Sequence, residues 1–474
     1  MAQFPPSYAI PALNLRQEIV NCEQEVPLLD GSMQCYVNLD NAASTPPFRR
    51  VKEKIDEAMT WYSSVHRGSG FKSLLSTQLY DQSREIVLQF VGADLEDSCI
   101  IFCKNASEAL NHLANLFPFQ PGDIVLTTGM EHHSNDLPWR ARANVIHSGL
   151  LPDGSLDLDE FRTHLEKNSG RIKLVAVTGA SNVTGFMPPI YDLAELAHKH
   201  GAKIVVDCAQ LLPHRKIEVG PANSPRHLDF IAFSAHKVYA PFGSGGLVGE
   251  KEFFNQVEPD DRGGGTVEIV TLNEVVWTGA PERDEAGSPN VLGAVALAAA
   301  LTFLSEIGMN KIAAHEAELT AYALEKLGKL PEIILYGSTD LDFVPKRVGV
   351  IPFQVAGVPH GKVAAILGFE GGIGVRNGCF CAHPYILHLL KVSDKTYLQF
   401  HGRVLEKDRS GLPGLIRMSF GCYNNTADVD RLVEMLECVI RGDYQGNYIE
   451  EKRSGSYYPS GFDRHSIQNK YFQF

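Results

Sequence analysis

The stretch DFIAFSAHKVYAPFGSGG, Asp229 to Gly246, sets a short apolar run, Phe230 to Phe233, directly before Ser234, His236 and Lys237 and a Gly-rich turn. Apolar runs of this length bounded by turn residues read as buried strands. Most lysines are solvated, so one fixed where a buried strand ends has either a structural role or a chemical one. An ordinary lysine titrates near ~10.4, and its use as a nucleophile around neutrality needs burial or a neighbouring cation.

Working outward, similar runs lie at Cys99 to Cys103, Ile124 to Thr127, Leu174 to Val177 and Ile204 to Val206. They alternate with helical patterns such as Ser107 to Phe117 and Tyr191 to His200. Asn105 followed by Glu108 resembles a capping box. The alternation predicts an α/β fold with a mostly parallel sheet covered by helices. Ligands of such sheets sit beyond the carboxyl ends of the strands. The residues expected there are Glu131 and His132, then Asn182, then Asp207 with Gln210, then Ser234, His236 and Lys237.

An amine and a carboxylate on neighbouring strand ends suit pyridoxal 5′-phosphate, which forms a Schiff base with lysine and needs an acid partner for its ring nitrogen. The amino terminus of the helix at Ala106 and Ser107 offers N–H groups and a favourable dipole for the phosphate. Ser107, Ser234 and His236 add side-chain donors. Helix capping alone also accounts for Asn105 and Ser107, and His132 reads either as a ring-stacking imidazole or as a satisfied core residue.

Beyond about residue 290 the rhythm changes. A small-residue helix, Val291 to Ile307, precedes a second helical stretch, then strands at Val348 to Gln354, Gly372 to Val375 and Leu415 to Phe420 surround a helix near Lys362. A closing helix runs from Ala427 to about Ile440. The expected organisation is an arm over 1–35, a large lobe over 36–290, a smaller α+β lobe over 291–445 and a tail over 446–474.

The 474 residues are 44% hydrophobic and 21% charged, ordinary for a globular chain. A net charge of -13 argues against nucleic acid or an anionic membrane surface as partner. No basic stretch with an apolar block opens the sequence and no run reaches the ~18 apolar residues of a membrane span. Nine scattered cysteines do not make a disulfide framework. A cytoplasmic protein is expected.

Eight ordered stretches carry a family resemblance: LDNAASTP (Leu39 to Pro46), HRG (His66 to Gly68), NASEALN (Asn105 to Asn111), EHHSNDLPW (Glu131 to Trp139), SNVTG (Ser181 to Gly185), VDCAQ (Val206 to Gln210), SAHK (Ser234 to Lys237) and EAGSPN (Glu285 to Asn290). With IRMSFGCYN, ending at Asn424, they resemble the class V aminotransferase group, in its cysteine desulfurase and selenocysteine lyase branch. The resemblance implies the fold type I of pyridoxal phosphate enzymes, with a mostly parallel seven-stranded sheet flanked by helices and a smaller α+β domain. It makes Lys237 the Schiff-base lysine, Asp207 the ring-nitrogen partner, His132 the stacking imidazole and Gln210 a contact of the ring oxygen. Ser107, Ser234 and His236 match phosphate contacts, and Asn182 lies beside ring and substrate. Arg417 matches the arginine that grips the substrate carboxylate, a task suited to its fork. Ser288 matches a position reaching the phosphate of the other subunit, which implies a homodimer.

The segment VRNGCFCAHP, Val375 to Pro384, bears on the reaction. Cys381 matches the desulfurase cysteine that takes sulfur from L-cysteine as a persulfide, leaving alanine. Arg376 and His383 flank it as cations that favour a thiolate if turned inward, and Arg376 is also a candidate substrate contact. Cys379 is unusual, and R-x-G-C-F-C is similar to the amino-terminal domain of molybdenum cofactor sulfurases, whose further carboxyl-terminal domain is not expected in the ~50 residues after Arg417. A packing role for the cysteine pair is the alternative. A metal site on Cys379, Cys381 and His383 is not expected, since zinc knuckles space their cysteines differently. Gly70, the segment Ser393 to Pro413 and the tail depart from the desulfurase pattern. The competing activity is a carbon–sulfur lyase or epimerase acting on another amino acid without a persulfide; a sulfur-acceptor protein is a possible partner of the first reading.

Overall fold

The computed structural model describes residues 13–66, 68–463 and 471. The first twelve positions of the expected arm, Arg67 of the HRG stretch and nearly all positions after 463 lie outside the described residues. Among the described residues, a seven-stranded sheet runs in the order Ser98–Cys103, Gly245–Glu250, Phe230–Ser234, Lys203–Asp207, Ile172–Thr178, Ile124–Thr128, Asn144–Ser148. Pairing is parallel except at Gly245–Glu250, which runs antiparallel to both neighbours.

Alternation along the strands divides their side chains between two cores. Ile101, Val125, Leu174, Val205 and Ala232 pack with Leu110 and Leu113 of helix Ala106–Leu116, while Ile100, Leu126, Val175, Val206 and Phe233 pack with Leu193 and Ala197 of helix Ile190–Lys199. With both faces covered, these strands read as continuous apolar runs, which is why the sequence shows them. Asn105 caps its helix, accepting from the Glu108 N–H, but Glu108 reaches back to the Lys104 N–H, so the expected capping box is only half made.

Gly245–Glu250 reads as a loop in the sequence because glycine weakens a strand. The structure supplies the reason for the glycines. A Cβ on Gly245 would stand 2.5 Å from the Phe233 carbonyl oxygen and 2.8 Å from the Asn105 Cα, and one on Gly249 would stand 2.6 Å from the Phe230 ring. Close approach of backbones demands these residues.

A second core surrounds an antiparallel sheet of Ile333–Leu335, Val350–Val355, Leu415–Ser419 and Arg376–Gly378. Helices Met309–Leu327, His360–Gly371 and Thr426–Arg441 contribute to it. The expected strand Gly372 to Val375 is only the pair Ile373–Gly374, and its partner is Val37–Asn38, in parallel. Helix Val291–Ile307 packs on helices Arg49–Trp61 and Phe71–Phe90, placing Leu297 and Leu301 in the first core. The segment after Ser393 forms a helix, Asp394–Leu405, and the tail forms a hairpin, Tyr448–Glu451 with Ser456–Pro459, against helix His360–Gly371. Among the described residues no single helix is long and apolar enough to cross a membrane.

Candidate active site

The carboxyl ends of the central strands open on a cavity of about 340 Å³. Lys237, Asp207, Gln210, His132, Asn182, Ala106, Ser107, Ser234, His236, Arg376, Cys381 and Arg417 all line it. Ser288 does not; it lies exposed on the loop before helix Val291–Ile307. Four adjacent strands position the central groups. Thr178 and Asp207 are register partners on neighbouring strands, as are Asp207 and Ala232, so the segments after each strand reach the same edge.

Lys237 ends the short 3-10 turn Ala235–Lys237 that succeeds the strand. Burial pushes its amine down to about 8, against the pull of Asp207 in the other direction. Asp207 accepts from the Ala209 N–H at 3.0 Å through Oδ1, and burial raises its carboxyl above the usual range. Oδ2 has no hydrogen-bond partner among the described residues, so the carboxylate keeps a free acceptor. His132 accepts from the Ser134 N–H at 3.1 Å through Nδ1, which makes Nε2 the protonated nitrogen of a neutral ring. Burial and then Lys237 push it down to about 3, so it is uncharged at neutral pH. Gln210 donates to the Ala42 carbonyl, tying the LDNAASTP stretch to the cavity wall. Glu131, next to His132, is held by Thr128, Asn135 and the Thr178 N–H, and burial raises it to about 8.

One end of the cavity is built at the start of helix Ala106–Leu116. The Ala106 N–H donates to Ser234 Oγ at 2.8 Å, Ser107 Oγ meets Ser134 Oγ at 2.5 Å, and the Ser107 N–H has no partner among the described residues. His236 Nδ1 is buried without a partner, and burial lowers its ring to about 4. These hydroxyls, an open helix N–H and an orphaned imidazole nitrogen form a donor set for a phosphate. With a free amine and a free carboxylate acceptor at the other end, the cavity fits pyridoxal 5′-phosphate.

On the opposite wall, Arg417 is buried, donating to the Asn182 carbonyl at 2.9 Å and to Asp40 at 3.1 Å, with its guanidinium 4.9 Å from the Phe380 ring centre. Its Nε is orphaned, and burial lowers it to about 10 despite Asp40. Arg376 meets the other Asp40 oxygen at 2.9 Å. The sequence alone gives Asp40 no role, although it stands second in LDNAASTP; its carboxylate bridges the two arginines.

Cys381 is exposed on the turn between strand Arg376–Gly378 and helix His383–Leu389. Phe380 and Cys381 both adopt positive φ, 51° and 54°, a costly conformation for side-chain-bearing residues. Two bonds suspend the turn: Asn182 Nδ2 donates to the Phe380 carbonyl and the His133 N–H to the Cys381 carbonyl, each at 2.8 Å. His383 does not turn toward the cavity; its ring stacks on His133 at 4.9 Å. Cys379 donates to the Pro413 carbonyl at 3.2 Å, and burial pushes its thiol up to about 11. Outside, Cys379 and Cys381 also line a groove of about 810 Å³ walled by Arg409, Pro413 and Tyr457, residues of the segment after the Asp394–Leu405 helix and of the tail hairpin.

Residues 37–432 match the family model described as Aminotransferase class-V. The chain is 35% identical to a protein of Halalkalibacterium halodurans named "Probable cysteine desulfurase", across 87% of this chain and 95% of that one. It is 34% identical to the cysteine desulfurase of Dickeya dadantii, across 88% and 95% respectively. The apo structure of the cysteine desulfurase from Thermococcus onnurineus superposes with a TM-score of 0.75 at 35% identity, over 86% of this chain and 95% of that one. The architecture is that of fold type I pyridoxal phosphate enzymes, and the residues matched to the family model, 37–432, include every residue that lines the cavity. The chain belongs to the class V aminotransferase family, in its cysteine desulfurase group.

Proposed function

We propose that this enzyme removes sulfur from L-cysteine, giving alanine and a persulfide on Cys381. The observation that carries the reading is that Lys237, Asp207, Arg417 and Cys381 line one cavity. In this reading Lys237 anchors pyridoxal 5′-phosphate, Asp207 partners its ring nitrogen, His132 lies on the ring and Gln210 meets its oxygen. Ala106, Ser107, Ser234 and His236 hold the phosphate, joined by Ser288 of a second copy. The bound cofactor supplies an electron-withdrawing ring that makes the substrate Cα–H bond acidic.

The chain's own groups do the rest. Arg417, with Asn182 and Arg376 beside it, takes the substrate carboxylate, which competes with Asp40 for the guanidinium. Lys237 in its neutral form carries the α-proton, general acid–base work worth typically ~10²- to 10⁴-fold. The Cys381 thiol receives the substrate sulfur, so that a thiol and cysteine become a persulfide and alanine with no other reactant. Cys379, held protonated, is a wall and not a carrier. A homodimer is supported by exposed Ser288 and by exposed apolar side chains at Phe71, Phe242 and Leu272. Nine free thiols agree with a reducing, cytoplasmic setting. The exposed Cys381 agrees with delivery to a sulfur-acceptor protein. We also infer a lobe division at 36–290 and 291–445, supported by the two separate cores.

The test is turnover of L-cysteine by purified protein with visible absorbance, alanine and intact mass recorded together. The reading expects a persulfide on Cys381, with C381A losing alanine and persulfide but keeping the absorbance, and R417K raising KM by about tenfold or more while keeping it too. Undiminished alanine formation in C381A removes the persulfide role from Cys381, whereas eliminated or epimerised products without alanine, across a panel of sulfur amino acids, favour a lyase or epimerase in which Cys381 only lines the pocket.

A further inference from the structure

At the opposite edge of the central sheet from the cavity, His198, His227 and Asp229 converge with one ligand atom each, all within 4.8 Å of one another. His198 stands in the last turn of helix Ile190–Lys199, His227 in the loop leading to the sheet, and Asp229 directly before strand Phe230–Ser234. The two imidazole rings stack at 4.3 Å with planes 17° apart.

Each ring is caught between two acceptors. His198 Nδ1 lies 2.8 Å from the Pro225 carbonyl oxygen and its Nε2 2.8 Å from Asp229 Oδ2. His227 Nδ1 lies 2.6 Å from the Ser224 carbonyl oxygen and its Nε2 3.4 Å from Asp229 Oδ1. A neutral imidazole has one N–H and satisfies only one of these contacts. Giving both rings a second proton would set two cations face to face beside the Lys203 ammonium, which already lies 2.7 Å from Asp229 Oδ1. Asp229 is the single carboxylate at their centre; Glu250 lies beyond, 3.8 Å from Lys203.

A metal ion resolves the conflict. Nδ1–H to a backbone carbonyl with Nε2 free is the orientation that second-shell carbonyls impose on metal-binding histidines. Two imidazoles and a carboxylate are a ligand set of the zinc type, leaving one position for water. Asp229 is aimed by the Ile204 N–H, which donates to Oδ2 at 2.8 Å. Lys203 has Glu250 within reach as an alternative partner.

We propose that His198, His227 and Asp229 bind one divalent transition-metal ion of the zinc class, a structural site that fastens the loop before Asp229 and the end of helix Ile190–Lys199 to the sheet. It is independent of the desulfurase reading. The test uses the holoenzyme, stripped of metal by chelator and titrated with zinc by calorimetry, followed by X-ray absorption at the zinc edge on the one-equivalent sample. Saturable one-to-one binding, a rise in Tm with zinc and a first shell of nitrogen and oxygen are expected. The H198N/H227N double variant keeps the amide position of Nδ1 but lacks Nε2; it should lose that equivalent while retaining visible absorbance and alanine formation, and C381A should keep it. No saturable binding with zinc in excess, equal binding by the double variant, or sulfur in the first shell would each overturn the proposal.

Discussion

A lysine at about 8 divides its population between ammonium and amine across the physiological range. Only the amine attacks an aldehyde. The rate at which the cofactor-free protein takes up pyridoxal 5′-phosphate should therefore rise with pH, roughly tenfold per unit at first, and level off above the Lys237 value. Stopped-flow growth of the visible band measures it; a rate still climbing steeply near pH ~10 would return Lys237 to ordinary lysine behaviour. The residues at strand ends were legible in the sequence because a buried parallel strand is a continuous apolar run, and the polar residues just past its end must stand at the rim. Asp40 was not, because its partners Arg376 and Arg417 lie more than three hundred positions away and nothing local marks it. His383 looked like a cation for Cys381, yet its ring is spent on His133, a contact between distant segments that spacing does not reveal.

Among the elements, strand Gly245–Glu250 does the least expected work. Its glycines let it press against both Phe233 and the start of helix Ala106–Leu116, so it sets the distance between Ser234 and Ala106. G245A forces backbone against backbone, where no side chain can swing aside, and should cost about 1–3 kcal/mol of stability. Because the displaced element is Asn105, cofactor affinity should fall as well. Denaturant titration and equilibrium cofactor binding check the two effects, and an alanine variant with unchanged binding would show that the helix start is not held by this strand. The apolar strands and the helices between them were readable, but a strand made of glycine, and the helix Asp394–Leu405 inside what looks like a long connection, were hidden by composition.

On the scale of the molecule, the two cores are riveted at Glu316 of helix Met309–Leu327. It pairs with His214 and with Arg215 at 2.6 Å, and Arg215 also donates to the Arg347 carbonyl at 2.6 Å. Burial alone would raise this carboxyl, but His214 and Arg215 overcome it and lower the value to about 2. A depressed carboxyl contributes its stability above the ordinary value of 4.5 and loses it as pH falls toward about 2. E316Q leaves the half-buried Arg215 guanidinium without its counter-charge and should lose about 3–5 kcal/mol at neutral pH. The difference from the parent protein should shrink on acidification through that window, as read by chemical denaturation at several pH values.

The parallel pairing of Val37–Asn38 with Ile373–Gly374 has a consequence for synthesis. One partner leaves the ribosome more than three hundred residues before the other. Until the late segment emerges, Val37 and Leu39 have no core to enter, because the pocket they fill is made by Ile351, Ile366, Ile373 and Met418. A strand made early is thus seated late, and a ribosome stalled before residue 373 holds a chain in which Val37–Asn38 stays open to proteases and chaperones.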